Sequence, residues 1–259
     1  MDPDALVGSG NVSPVEIPLL LLAGVLAGLV GSTAGLASLV SYPALLLTGL
    51  SPLAANVTNS MALLGVTAGT AAGSRPELSG QGARLKRLLP IAAAGGAVGC
   101  VLLLALPPDA FEVVVPFLVG GASVTILLQP RIKQLQPGRL SPNNPAALVA
   151  IFLVGIYGGY FGAAAGVLML ALSEVLHAQS LARNNALKNM LTGAANTVAA
   201  VGFAVFGPVD WWAALLLGVG CVVGGRIGPV IVRRLDPRVL RTVIAVAGLA
   251  LAVRLFVTR

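Results

Sequence analysis

Apolar residues fall in long runs separated by short polar or charged connections. A helix that crosses a bilayer needs ~20 such residues at 1.5 Å rise each. Seven stretches qualify as helical membrane segments: Ala54–Gly73, Leu85–Leu106, Val113–Gln129, Pro145–Phe161, Ala182–Phe206, Trp211–Val232 and Val239–Val257. Two more, Ile17–Thr33 and Leu36–Leu50, are short and are joined by a glycine-bearing turn, Gly31-Ser32-Thr33-Ala34-Gly35. The same design returns later, where Pro145–Phe161 leads through Gly162-Ala163-Ala164-Ala165-Gly166 into a short run ending near Leu176. The pattern predicts an all-α polytopic membrane protein with two short glycine-tipped helical hairpins.

Composition agrees. Of 259 residues, 57% are hydrophobic and only 10% charged, where a soluble domain carries about 25% charged residues. High apolar content excludes disorder. The 32 Gly and 17 Pro follow no Gly-X-Y period, and membrane helices tolerate both residues. Cys100 and Cys221 lie inside apolar runs and His177 is the single histidine, so neither a metal site nor a cofactor is expected. The HExxH, GxSxG and Walker patterns are missing, which argues against an enzyme.

The net charge of +7 would suggest nucleic acid in a soluble protein, but here the basic residues cluster between apolar runs, so no nucleic-acid partner is expected. Arg75, Arg84, Lys86 and Arg87 form one cluster, Arg131, Lys133 and Arg139 another, and Arg233, Arg234, Arg238 and Arg241 a third. Acidic connections at Asp109/Glu112 and Asp210 alternate with them. By the positive-inside rule the basic connections are cytoplasmic. The acidic N-terminus, free of Lys and Arg, starts outside and lacks the positive region of a signal peptide. An external start requires an odd number of crossings before Arg84. Three full crossings satisfy this, and so does a hairpin that dips in and out followed by one crossing. Parity then gives two inverted repeats of about five segments. The division reads 1–16 external tail, 17–129 repeat one, 130–144 cytoplasmic linker and 145–259 repeat two.

Self-similarity supports two halves. Gly28, Gly31 and Gly35 align with Gly155, Gly158 and Gly162, while Asn56, Asn59, Ser60 and Thr67 align with Asn185, Lys188, Asn189 and Asn196. Ala97–Val101 resembles Gly218–Val222. Inverted repeats with broken helices near the midplane are a recurring transporter plan.

The polar residues Asn56, Asn59, Ser60, Thr67 and Thr70 share one helical face, as do Asn185, Lys188, Asn189, Thr192 and Asn196. Amides in hydrocarbon must be hydrogen-bonded, so both faces look into protein or a wet cavity. They act either as interhelical hydrogen-bond glue or as a binding site. Charge at the bilayer centre costs at least ~2.5–3.5 kcal/mol, so Lys188 is the sharpest candidate. It attracts a small anion, snorkels to the cytoplasmic interface, or pairs with Glu174. Helix N-termini at the hairpin tips bind anions through backbone N–H groups. Ser32, Thr33 and Gly35 supply donors in one half, and Gly162 to Gly166 in the other. Gly65, Gly69 and Gly73 read as helix packing. Tyr42, Tyr157 and Tyr160 read as hydrogen-bond donors or, the commoner case, as interfacial belt residues, and Trp211 and Trp212 read as belt.

The hairpin Gly28–Gly35 leading to Tyr42-Pro43, the second hairpin Gly155–Gly166, the stretch Ser180–Asn189 and the ending Gly224–Arg241 together resemble the TauE/SafE sulfite exporter family, from about Val15 onward. The resemblance implies a two-repeat transporter of the prokaryotic cytoplasmic (inner) membrane, exporting sulfite, a sulfonate such as sulfoacetate, or a related small organic anion. The substrate-binding residues would be Ser32, Thr33, Gly35, Asn56, Asn59, Ser60, Gly162, Gly166, Asn185, Lys188 and Asn189. Partners are a small anion and the lipid bilayer, with a homodimer left open. A lipid-handling or non-transporting membrane subunit is the competing reading. Its site would open laterally between helices, whereas an anion site would be a closed midplane pocket.

Overall fold

The computed structural model describes residues 14–132 and 144–231, with the side chains of 108, 122, 123, 125–132 and 231 left out. Within them the chain forms ten helices and no strand: α1 Glu16–Ala34, α2 Ser38–Leu47, α3 Pro52–Gly73, α4 Arg75–Leu78, α5 Gly82–Ala105, α6 Pro108–Ile132, α7 Pro145–Tyr160, α8 Ala165–Leu176, α9 Leu181–Phe206 and α10 Trp211–Ile231. The expected last segment Val239–Val257, the Arg233–Arg241 cluster, Lys133, Arg139 and most of the N-terminal tail lie outside the described residues.

Local chemistry sets the ends. Ser51, Asn144 and Ser180 cap α3, α7 and α9, their side chains accepting from Ala54, Ala146 and Arg183 N–H groups. Pro52 and Pro145 follow two of these caps at positions where no helical N–H is needed. Two expectations shift. The second segment stops at Leu47 rather than Leu50, and Gly49 turns the chain at φ 84°. The expected Val113–Gln129 segment, α6, begins at Pro108, because acids are favourable in a first helical turn and Asp109 sits there.

Four described helices are long and apolar enough to cross a membrane: Glu16–Ala34, Gly82–Ala105, Leu181–Phe206 and Trp211–Val230. At 1.5 Å per residue, α2 and α8 reach only ~15 and ~18 Å, about half of a ~30 Å hydrocarbon core. Each hairpin therefore pairs a longer helix with a short returning one.

Glycines define the seams. Gly24 and Gly28 of α1 meet the α10 backbone at Leu217 and Cys221, and Gly95 and Gly99 of α5 meet α7 at Phe152 and Ile156. Gly65, Gly69 and Gly73 lie against α10 at Gly218, Val222 and Arg226, the packing role expected of them. The order of these contacts runs α1, α3 and α10 in one direction. Gly96 opposite Ala195 and Gly202 opposite Cys100 run α5, α7 and α9 together. Gly193 faces Thr67 while Asn196 bonds Ser60, so α3 and α9 are antiparallel. The pairings are reciprocal: α1 on α10 matches α7 on α5, and α3 on α10 matches α9 on α5.

Candidate functional site

The two hairpin tips touch each other. After α1, Gly35 takes a left-handed conformation (φ 76°, ψ 30°) and its N–H bonds Gly31 O at 3.0 Å. After α7, Gly162 does likewise at φ 76°, its N–H bonding Tyr157 O at 2.9 Å. Gly35 then lies directly on Gly166, where a Cβ would stand 2.5 Å from the Gly166 carbonyl carbon. Only glycine permits that backbone approach together with a positive φ.

The polar faces of α3 and α9 hold these tips crosswise. From α9, Asn185 and Asn189 donate to Ser32 O at 2.8 and 3.0 Å, and the Lys188 ammonium donates to Gly31 O at 3.1 Å. These carbonyls lie in the last turn of α1, at the negative end of its dipole, and of the two Gly31 O also accepts the Gly35 N–H. From α3, Asn56 donates to Tyr160 O at the end of α7, at 2.9 Å. Asn59 donates to Ser38 Oγ at 3.1 Å and accepts from Ser41 Oγ at 2.5 Å, tying α2 to α3. Asn196 closes the centre by donating to Ser60 O at 2.9 Å. Every one of these bonds except those of Asn59 crosses between the halves.

Lys188 is fully buried (0% exposed), so it does not snorkel, and its ammonium caps α1. The belt reading is corrected for Tyr42 and Tyr157. Tyr42 is buried edge-on against Phe161, with ring centroids 5.4 Å apart, and the Tyr157 hydroxyl donates to Ala163 O at 2.5 Å inside the second tip. Trp211 and Trp212 are exposed beside Asp210, as a belt requires.

A cavity of about 80 Å³ lies where the tips meet α3 and α9, room for several waters at ~10–15 Å³ each. Of the expected site residues, Gly35, Gly162, Gly166 and Asn189 line it. Asn56, Asn59, Asn185 and Lys188 stand behind the lining and position it. The Ser32, Thr33 and Ser60 hydroxyls donate to carbonyls of their own helices, Leu29, Val30 and Asn56. Ser38, Thr67, Thr70, Thr192 and Asn196 complete the polar wall. The last four sit on the helical faces visible in the sequence, whereas no spacing singled out Ser38.

The electrostatics follow from the capping. Side chains satisfy the carbonyl ends of α1 and α7, so their negative poles are offset. Ser38 and Gly166, in the first turns of α2 and α8, have N–H groups with no protein acceptor among the described residues, and both line the cavity. Two positive helix poles thus face one small space.

One end of the bundle is latched by loops. Arg84 donates to Gln179 Oε1 at 2.6 Å, Arg183 to Ser79 O at 2.8 Å, and Gln81 to Arg183 O at 3.1 Å. His177 is buried in this network, and burial together with the Arg84 charge pushes its imidazole below the usual histidine range. No group of three or more metal-ligating side chains occurs among the described residues.

Comparison with known proteins fits this geometry. The family model "Sulfite exporter TauE/SafE" matches residues 20–255, and the chain belongs to that family. Relatives include "Probable membrane transporter protein ORF9" of Sinorhizobium sp, 28% identical over 92% of each chain. Another is "Probable membrane transporter protein YfcA" of Escherichia coli (strain K12), 28% identical over 94% of this chain and 91% of that one. A third, "Probable membrane transporter protein" of Haemophilus influenzae, is 24% identical over 92% and 94%. The chain is a membrane transporter of this family and not an enzyme.

Proposed function

We propose that the protein exports a small anion, sulfite or an organosulfonate of the sulfoacetate type, bound at the midplane between the two hairpin tips. The observation that carries this reading is the pair of unpartnered N–H groups, Ser38 and Gly166, at one cavity. Helix N-termini favour anions through both donors and dipole. Lys188 deepens the same field from behind α1, while its bond to Gly31 O holds the tip in place.

The transporter sits in the bacterial cytoplasmic membrane with its N-terminus outside, and residues 17–129 and 145–259 form inverted repeats. The opposed directions of α3 and α9 and the reciprocal seams support that arrangement. Alternating access then rocks one set of helices against the other around the tips.

A thermal-shift panel on the purified full chain tests this with sulfite, sulfoacetate, taurine and simple carboxylates. An anion of the sulfite or sulfonate class should stabilise wild type more than Lys188→Met. If no anion separates the two proteins, the anion site is wrong.

A further inference from the structure

Beside the central cavity lies a second, larger space of about 420 Å³ between α3, α5 and α9. Its walls are almost wholly apolar: Leu89 and Ala93 from α5, Met190 and Ala194 from α9. It opens sideways, past exposed Pro90 and Val198. Two residues, Thr67 and Gly193, line both this groove and the polar cavity. The Thr67 side chain lies across Gly193 so closely that a Cβ there would stand 2.5 Å from Thr67 Cγ2. The Thr67 side chain, folded onto Gly193, thus stands at the border between a polar compartment bounded by helix N-termini and an apolar one.

We propose that the groove holds the organic tail of the transported anion, so that the substrate is amphipathic: a sulfonate head in the tip cavity and an alkyl or aryl group between α5 and α9. The proposal rests on the anion reading of the tip cavity and adds the chemistry of the rest of the ligand. An inorganic oxyanion would use the polar compartment alone and leave the groove without a role. A tail bound to the head reaches the groove as Thr67 turns away from Gly193. The border that the two spaces share at Thr67 and Gly193 favours the substrate's own tail over a separate occupant.

The test is a chain-length series of 1-alkanesulfonates, methane to hexane, measured by thermal shift and calorimetry on the full chain. Affinity should rise about two- to fourfold per methylene, the gain expected for burying a CH₂ group. Ala194→Trp, which fills the groove, should remove that gain and leave methanesulfonate binding unchanged. Ala93→Leu, a smaller intrusion, should reduce it and keeps the test open if the tryptophan variant does not fold. Methanesulfonate that binds with no gain on lengthening overturns the tail site and leaves the tip site standing. Loss of binding by every sulfonate overturns the tip site itself. An equal gain with neutral 1-hexanol would make the groove a lipid acyl contact, and conversion of a dimer to a monomer by Ala194→Trp would make it a subunit interface. Either result also overturns the proposal.

Discussion

The two hairpin tips solve one problem with different chemistry. Each must end a helix inside the protein, where bare carbonyls find little water. The first tip is closed by three donors from α9, one of them charged: Asn185, Lys188 and Asn189. The second is closed by the neutral Asn56 amide from α3 and by the Tyr157 hydroxyl within the tip. Asn59 stands where the aligned half has Lys188, and it turns to α2 instead. Similar backbone turns thus carry a lysine amine on one side only. Structure needs donors at both tips, and the lysine at the first is the feature on which the proposed anion site draws.

The largest effect should come from the glycine contact itself. Gly35→Ala adds a methyl 2.5 Å from the Gly166 carbonyl carbon and places a side chain at φ 76°. Overpacking of ~1–3 kcal/mol and a left-handed penalty of ~1–2 kcal/mol add there. Gly166→Ala meets Gly35 Cα at the same 2.5 Å but avoids the second penalty. Melting in detergent should place Gly35→Ala well below Gly166→Ala, with both below wild type. Equal losses would show that contact alone, and not backbone conformation, distinguishes the two positions.

Next come the capping side chains. Asn56→Leu leaves Tyr160 O buried without its donor, a loss of about 1–3 kcal/mol in stability. Lys188→Met is different, because Gly31 O keeps its bond from the Gly35 N–H at 3.0 Å. Replacing a buried charge by an apolar residue is often neutral for stability. Its effect should fall on ligand binding. One charge at ~10 Å and an effective dielectric of ~20 contributes about 1.7 kcal/mol, a loss of affinity on the order of tenfold. The expected pattern is crossed, with Asn56→Leu lowering the melting point at nearly unchanged affinity and Lys188→Met doing the reverse. If both variants lose stability alike, the charge at the first tip is only a cap.

Much of this was legible in residue order. Glycines at 28, 31 and 35 repeating at 155, 158 and 162 located both tips, and amide spacing on two helices located the faces that hold them. Periodicity reports which residues share a face, and it does not report what they touch. Asn56, Asn185 and Lys188 were therefore expected as ligands, whereas their donors point at carbonyls of the opposite half. A residue 157 positions away is invisible to any window. Tyr42 reads as a belt residue for the same reason, since its burial depends on Phe161, which arrives from the other hairpin. Ser38 carried no signal because a first-turn N–H belongs to the backbone of every residue type.

The smallest effect probes the second tip's own turn. Ala164 adopts φ 60°, the one non-glycine residue at positive φ among those described, and it is buried beside Gly162. An L-residue there gives up ~1–2 kcal/mol to sterics. Glycine would relieve this and return roughly 0.5–1 kcal/mol through its freer unfolded chain. Ala164→Gly should therefore raise stability by no more than about 1.5 kcal/mol, read as a small upward shift in melting temperature. A fall instead would mean that the buried methyl packs the tip well enough to outweigh its backbone strain. The first tip concentrates its left-handed geometry in Gly35, whereas the second spreads it over Gly162 and Ala164. A methyl is thus affordable in one turn and excluded from the other, where the backbone of Gly166 already occupies its place.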